Sequence, residues 1–568
     1  MADDIFVPAQ QPTIQDAINA AVAGDVVRVS AGTYFENINF AGKDITVEAV
    51  DGADVTIIDG GANGTSVVTI ASGETRAAVL SGFTIRNGVS NRGGGIDISS
   101  SSPTIINNRI DANTACSGSG IFVQVSAALF QDNVISNNST NGCSFGRGGG
   151  ILVNENGNVE IVSNQLFGNE HRYGGGIFLA NSGVTIIRGN VIRDNTVTIQ
   201  GGGIAMTGVS NAYVEQNLIV GNAAFEGGGM VYLVPQGQTG PEIVGNTIAG
   251  NTAENDGFGV NGSGILSHGY QAGVRVTSNI VMAAPGEVAI DCLVSPNGQP
   301  IFESNLVFSA SGDEYGSACT DQSGVNGNVS GDPGFANVQA GDYRIMSTSA
   351  AVDNGASETT VLQEDILGNP REVDANGDLI SRNDIGAYEA QLPSADPSYL
   401  LVQGVNGTTV QLYASSSGDL DGFVSSYEWT QESGSLVTIQ SPQSDSAYFY
   451  VPPLAGSVVI RLNVEDDTGF SNSSTINVQA GANPFFDKSI LGQGGVWFDP
   501  RKTQAVETTD LPADVVESTD SLSVNERSGG GAMGVILMLL LGVISAVSYA
   551  GRGAPMRRSR GFGKSILD

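Results

Sequence analysis

Basic residues are scarce: Lys and Arg total 24 against 58 Asp and Glu, for a net charge of −34. Residues 552–568 hold five basic residues and one acid, so this tail carries +4 and everything before it −38. A body that acidic repels phosphates, which excludes nucleic acid as a partner. It suits solubility in a salty medium, or Ca²⁺ binding. Charge of either sign is also thin, at 14% of residues. That is poor material for helix bundles, which draw on Ala, Glu, Lys and Leu. Histidine occurs twice, as His171 and His268, and cysteine four times.

What abounds is glycine, 78 of 568 residues, about twice the usual ~7%. Much of it repeats. "RGGGI" occurs at 92–96 and 147–151, "YGGGI" at 173–177, "QGGGI" at 200–204 and "EGGGM" at 226–230, with looser copies ending at Ile121 and Ile265. The closing apolar residues step by 25, 30, 26, 27, 26 and 35. An asparagine motif runs in phase: Asn108/Asn113, Asn133/Asn138, Asn164/Asn169, Asn190/Asn195, Asn217/Asn222 and Asn246/Asn251, every pair five apart.

Short apolar segments broken by Gly or Asn leave no room for a helix. A fixed all-β period in the high twenties predicts a solenoid, best a parallel β-helix with one coil per repeat. Like positions then stack about 4.8 Å apart. Stacked asparagines bond their amides along the rod, and the apolar residues beside them, such as Ile106, Ile110, Val134 and Val191, are expected to point inward. The triple glycines lead into strands ("GILVN", "GIFLA"), so they are not phosphate cradles, which lead into a helix. They are expected at the tight entry to a strand, where stacked backbones leave little room for Cβ.

Residues 5–334 resemble the right-handed parallel β-helix superfamily of pectin-lyase-like proteins. "PTIQDAINAAV" reads as an amphipathic helix, with Ile14, Ala17, Ile18 and Ala21 on one face, capping the open end of the solenoid. Cys116/Cys143 and Cys292/Cys319 are each 27 apart, one coil, which predicts two disulfides and an oxidising compartment; four buried free cysteines are the alternative.

Past residue 330 the period is lost. "GDYRI", "SAAVDNGA", "DILGNPR" and "DIGAYE" resemble the choice-of-anchor Q region of bacterial surface proteins. Residues 331–390 are therefore expected to form a C-terminal cap, with loops folding back over the last coil. Within it, "DANGDLISRND" places Asp374, Asn376 and Asp378 at positions one, three and five, with Asp384 at eleven. Alternating oxygen ligands suit Ca²⁺, although no Glu stands at twelve; a solvated polar turn is the alternative. No other cofactor is implied.

Residues 391–481 show about seven short strands, a β-sandwich pattern. "SSSGDLDGFVSSYEW" and "VIRLNVEDDTGFSNSSTINV" resemble polycystic-kidney-disease (PKD)-type immunoglobulin-like modules, with Trp429 as the buried core aromatic. Residues 482–527 are acidic and aperiodic and read as a disordered linker. Residues 531–551 are uncharged and long enough to span a bilayer, and Arg552, Arg557, Arg558 and Arg560 follow at once, which places the tail in the cytoplasm and the body outside. This layout, residues 528–568, resembles the GlyGly-CTERM sorting signal. The resemblance implies cleavage near Gly529, Gly530 and Gly531 by a rhomboid-like protease, and delivery to the surface of a Gram-negative bacterium after transient anchoring in the inner membrane. An ordinary tail anchor is the alternative. "MADDIFVPAQ" is no signal peptide, so the expectation is that the mature protein starts near Ala2 of a longer product.

The chemistry-bearing residues are sparse. The motif sets of pectin hydrolases, pectate lyases and alginate epimerases are not evident; "SHG" at 267–269 is a loose match only. The richest cluster is Glu170, His171, Arg172 and Tyr173, just ahead of one glycine triplet. If the register holds, Phe145, Arg147, Gln200, Phe225, Glu226 and Phe258 line up beside it. His, Tyr, Arg and Glu suit acid–base work on a uronate, and aromatics suit stacking on sugars. A solvated turn is the bland alternative. Two functions remain: a surface-displayed, monomeric rod that is structural, adhesive or polysaccharide-binding, or a polysaccharide lyase or hydrolase in the same casing.

Overall fold

The computed structural model describes residues 2–479, apart from 141, 156, 255–261, 294–297, 357–362, 405–406 and 452–455, and also the backbone of 496–498. Residues 4–330 wind into a β-solenoid. A typical coil contains strands Thr104–Ile106, Arg109–Asp111, Thr114–Ser117 and Ile121–Gln124. Successive coils pair in parallel. They build a first sheet of 12 strands and a third sheet of 11; the second sheet merges with a short turn ladder through Thr247–Ala253.

Three apolar columns fill the interior. Ile105 stacks on Phe130, Ile161 and Ile187 in the first sheet. Ile110 stacks on Ile135, Leu166 and Ile192 in the second. Ile121, Ile151, Ile177 and Ile204 stack in the third. All of these are fully buried. The expected inward set needs correction. Ile110 points inward, but Ile106, Val134 and Val191 are half-buried and face out. In a strand successive side chains alternate, so in "NVI" the residue after Asn faces solvent and the next one enters the core.

The asparagines form two buried columns. Asn133 Oδ1 accepts from the Asn108 backbone N–H at 3.0 Å and from Asn108 Nδ2 at 3.3 Å. Asn133 Nδ2 in turn donates to Ile105 O at 2.8 Å and to Asn164 Oδ1 at 3.0 Å. Every amide atom is used, which is why a polar side chain tolerates full burial here. The first column continues through Asn279, Asn305 and Asn328. The glycines behave as expected. Gly148 has φ +73°, and a Cβ on Gly149 or Gly150 would come within 2.5 Å of the carbonyl oxygens of Gly175 and Gly176.

Helix α1, Ile14–Ala20, is N-capped by Thr13, whose side chain accepts from Asp16 N. It buries Ile14, Ala17 and Ile18 in the same core cluster as Val27 and Ile38, closing the end of the solenoid. Disulfides join Cys116 to Cys143 and Cys292 to Cys319, with Cα–Cα distances of 5.4 and 5.0 Å.

The segment after the coils begins with a hairpin, Phe335–Asn337 with Asp342–Ile345. It then covers the flank of several coils, not only the last one. Ile366, Tyr343 and Tyr388 pack on Leu218, Val220 and Ala249, and Ile345, Ala351 and Ile385 cluster with Ile280 and Leu306. Hydrogen bonds from Ala356 N to Ser278 Oγ, Ala387 N to Thr247 Oγ1 and Gln216 Nε2 to Glu364 O fix it there. The reason lies in the outward positions of the second sheet. Early coils place Arg109 and Asp111 there; late coils place Leu218 and Val220, then Ile280 and Met282. That apolar strip needs cover.

A β-sandwich follows. One sheet pairs Ser398–Gly404, Gly407–Tyr413 and Ser446–Tyr450; the other pairs Val424–Gly434, Ser457–Asp466 and Ser471–Gln479. Residues 435–440 add only the bridge of Gln440 to Tyr448. Val496–Phe498, inside the stretch read as linker, adds a parallel edge strand beside Leu400–Val402. Trp429 is 2% exposed and donates Nε1–H to Ser444 O at 2.9 Å. The apolar span at 531–551, Gly529–Gly531 and Phe258 lie outside the described residues. Among the described residues no helix is long and apolar enough to cross a membrane.

Candidate functional site

The residue ahead of each glycine triplet ends the turn ladder. Arg92 pairs with Ser117, Ser117 with Arg147, Tyr173 with Gln200, and Gln200 with Glu226. The N–H of Gly148 donates to Tyr173 O at 2.9 Å, which joins the two runs. The expected register therefore holds for Arg147, Tyr173, Gln200 and Glu226, and Arg92 and Ser117 extend it one coil at a time toward the N-terminus.

The side chains of Arg92, Arg147 and Tyr173 fold over the outer face of the third sheet. Its first outward column is Phe122, Leu152, Phe178, Ala205, Val231 and Leu266, packed with Tyr173 as one apolar cluster. The Arg147 guanidinium lies 5.3 Å from the Phe178 ring centre, and that of Arg92 lies 5.2 Å from Phe122. Tyr173 meets Phe178 edge-on at 6.4 Å. Phe122 and Phe178 escape the sequence reading. The signal was there as "GIF", one residue beyond the periodic isoleucine, but an apolar residue next to a core position reads as core.

The catalytic candidates do not converge. Glu170 is exposed, while Arg172 and Tyr173 are half-buried. His171 is 1% exposed and accepts the Arg172 N–H on Nδ1 at 2.9 Å. Its ring fills the space beside Gly146, where a Cβ would lie 2.2 Å from Cε1. Burial drives its pKa down to about 4, so the ring is neutral at pH 7 and sealed from any ligand. The acid–base role read for it does not fit that position. The alternation that turns Glu170 and Arg172 outward turns His171 inward.

Phe145 is 90% exposed and Phe225 half-buried. Glu226 accepts from Gln200 Nε2 at 2.5 Å and faces His268, whose pKa burial lowers and the Glu226 charge raises.

A second recess is invisible in sequence because the folded-back segment forms one wall. It encloses about 160 Å³ between outward residues of the first sheet, Glu215, Glu242, Arg275 and Glu303, and Arg371 of the covering segment. Glu215 is already paired with Arg188 at 2.7 Å.

The Ca²⁺ candidates separate into two groups. Asp374, Asn376 and Asp378 share one exposed loop, each bonding N–H groups of that loop. Asp384 is buried in a different network. Its Oδ1 accepts from Asp353 N at 2.7 Å and its Oδ2 from Ala390 N at 2.6 Å. Burial, then the neighbouring Glu389 carboxylate, pushes its pKa up. It holds the segment together with the buried Arg371–Glu389 pair at 3.1 Å. Among the described residues no three His, Cys, Asp or Glu side chains already stand around a common point as a metal requires.

A family model described as "Right handed beta helix region" matches residues 149–354, and a second, of a PKD domain, matches residues 403–479. The chain thus carries a right-handed β-helix region followed by a PKD domain. No curated protein matches it. Among solved structures it is similar to the PKD1 domain of Vibrio anguillarum Epp, at 25% identity over 17% of this chain and 100% of that one, with a TM-score of 0.14. It is similar to XylC in complex with xylose, at 11% identity over 68% of this chain and 98% of that one, with a TM-score of 0.42. It is also similar to the A-module of the Azotobacter vinelandii mannuronan C-5 epimerase AlgE6, at 14% identity, covering 56% and 94%, with a TM-score of 0.33.

Proposed function

We propose that this chain is an exported, surface-displayed or surface-released rod that binds an acidic polysaccharide along its turn ladder without altering it. The observation that carries this reading is the placement of Arg147 over Phe178, beside Tyr173 and in line with Arg92. Arg92 and Arg147 stand two coils apart on this ladder and Tyr173 one coil beyond Arg147, along one edge of an otherwise acidic protein. An extended ligand carrying carboxylates suits that edge: Arg92 already holds Asp97 at 2.9 Å, so the Arg147 guanidinium is the one to pair with a ligand carboxylate, and the aromatic faces offer apolar surface to the rings. The burial of His171 argues against acid–base chemistry in this cluster.

Export is supported by the two disulfides, which persist in oxidising compartments. Residues 531–551 and the arginines after them support passage through a membrane and sorting by a rhomboid-like protease near Gly529–Gly531. Mass spectrometry of surface-released protein should find a C-terminus there.

The binding test is a glycan array probed with the full chain, followed by product analysis on each hit. Uronate polysaccharides should bind and be recovered intact, and Arg147→Ala with Tyr173→Ala should weaken binding about tenfold. Release of unsaturated or shortened oligosaccharides from a hit would instead establish a lyase or hydrolase.

A further inference from the structure

We propose that the recess between the first sheet and the covering segment binds a small zwitterion, an α-amino acid of the size of alanine. This inference is independent of the glycan reading, because the turn ladder lies over the third sheet and the recess over the first.

The sequence sets one wall. In each strand of the first sheet the middle residue enters the core and its two neighbours face out. Three successive coils therefore bring Glu242 and Val244, Arg275 and Thr277, and Glu303 onto one face. Glu242 is in register with Arg275, one coil or about 4.8 Å away. Among the described residues the side chains of Glu242, Arg275 and Glu303 have no hydrogen bond or ion pair, to each other or to anything else. An exposed pair gains little by closing on itself. Uncommitted charges of both signs thus line the same recess.

The opposite wall is preorganised. The Arg371 side chain is only 4% exposed, and its Nε holds Glu389 at 3.1 Å. Its Nη2 donates to the carbonyls of Asp384 and Gly386, both at 3.0 Å. Nη1 makes no hydrogen bond among the described residues and lies toward Gly245, where an added Cβ would be 3.9 Å from it. A guanidinium fixed in this way, with one nitrogen unspent, needs no ordering before it binds. The other two acids at the recess are already engaged: Glu215 with Arg188, and Asp384 with the backbone N–H groups of Asp353 and Ala390.

The class of ligand follows from the charges. An anion alone would face Glu242 and Glu303, and a cation alone would face Arg275 and Arg371. A zwitterion meets both. Its carboxylate takes Arg371 Nη1 and Arg275, and its ammonium takes Glu242 and Glu303, through charge-assisted hydrogen bonds. The two charges of an α-amino acid sit on one carbon, which suits a carboxylate and a guanidinium rooted on neighbouring coils. The volume of about 160 Å³ limits the ligand to the space of on the order of five waters. Val244 lines the same space and offers apolar contact to a methyl group.

The test is calorimetric titration of the full chain with three probes: L-alanine, propionate and ethylamine. Alanine should bind with a dissociation constant on the order of 1 mM, in keeping with so few atoms. Propionate and ethylamine each carry one of the two charges and should bind about tenfold more weakly or worse. Glu242 and Arg275 are exposed, so Glu242→Gln and Arg275→Gln should fold with an unchanged melting temperature, and each should weaken alanine about fivefold. The proposal is overturned by no heat up to about 50 mM alanine, by a single-charge probe that binds as tightly as alanine, or by both variants binding alanine like wild type.

Discussion

Arg344 and Asp467 form an ion pair across the junction between the flank-covering segment and the β-sandwich, with Nη2–Oδ2 at 2.5 Å. Arg344 also holds Asp342 at 2.7 Å and donates from Nη1 to Asp421 O at 2.7 Å. Its side chain is 12% exposed, so the contact is largely shielded from water. Ser347 N donates to Thr468 O nearby, and Phe470 joins the apolar cluster of the covering segment. The sandwich is therefore docked on the covering segment, not merely tethered to it. Replacing Arg344 with Ala leaves two shielded carboxylates and a carbonyl unpaired. The expected cost is about 3 kcal/mol at the junction, read as earlier proteolysis between residues 390 and 400 and a lower first calorimetric transition.

Asp421 sits behind that junction with its pKa raised to about 7 from 3.8, by burial first and then by the Asp419 charge. The folded state holds a proton there that the unfolded state has lost. Between pH 3.8 and about 7 the native form binds more protons, so its stability falls as pH rises through that window. Calorimetry at stepped pH should show the sandwich transition moving down across it, and Asp421→Asn should flatten that slope.

His171 gives the opposite slope in the solenoid. Its pKa is lowered from 6.5 to about 4 by burial, so the unfolded state binds the proton first. Solenoid stability is then lost as pH falls from 6.5 toward 4. A hydrophobic replacement, His171→Leu, should remove this dependence and leave glycan binding unchanged, since the ring never reaches the surface.

The asparagine columns are the most sensitive polar positions. Asn190 Oδ1 accepts two bonds from Asn164, at 2.8 and 3.0 Å, and its Nδ2 donates to Asn217 Oδ1 at 2.9 Å. Asn190→Leu keeps the approximate volume but strands buried donors of Asn164 on one side and removes the donor to the buried acceptors Asn217 Oδ1 and Ile161 O on the other. Urea unfolding should show a loss of about 3 kcal/mol or more.

Glycines separate by what lies beyond them. At Gly149 an added methyl comes within 2.5 Å of Gly175 O, while at Gly250 it meets nothing within 4 Å and only φ +62° resists it. Gly149→Ala should cost more than about 2 kcal/mol by forcing coils apart. Gly250→Ala should cost about 1 kcal/mol from backbone strain alone. Equal losses in denaturation midpoints would contradict the stacked-backbone account.

The solenoid was legible because its signals are local and repeated. Asn133 and Asn164, or Cys116 and Cys143, declare their stacking by spacing alone. Ile106 and Val134 were misassigned because "two apolar residues beside Asn" does not say which one enters the core; the sheet's alternation decides. The site was less legible. Arg147 and Tyr173 were found through the register, but Phe178 hid among core residues, and His171 read as surface because its neighbours are polar.

By itself the sequence determined the coil, its period, the two asparagine columns, the capping helix and the disulfide partners. Each of these depends on contacts one coil away, and a repeat writes that distance directly into the numbering. Only the tertiary structure decided what lies across long separations. It laid Ile366 and Tyr388 against Leu218, sealed His171 under Gly146, paired Arg344 with Asp467, and brought Asp353 to the loop at 374–378. Those meetings depend on how an aperiodic segment covers an apolar flank, and no period in the chain records where it lands.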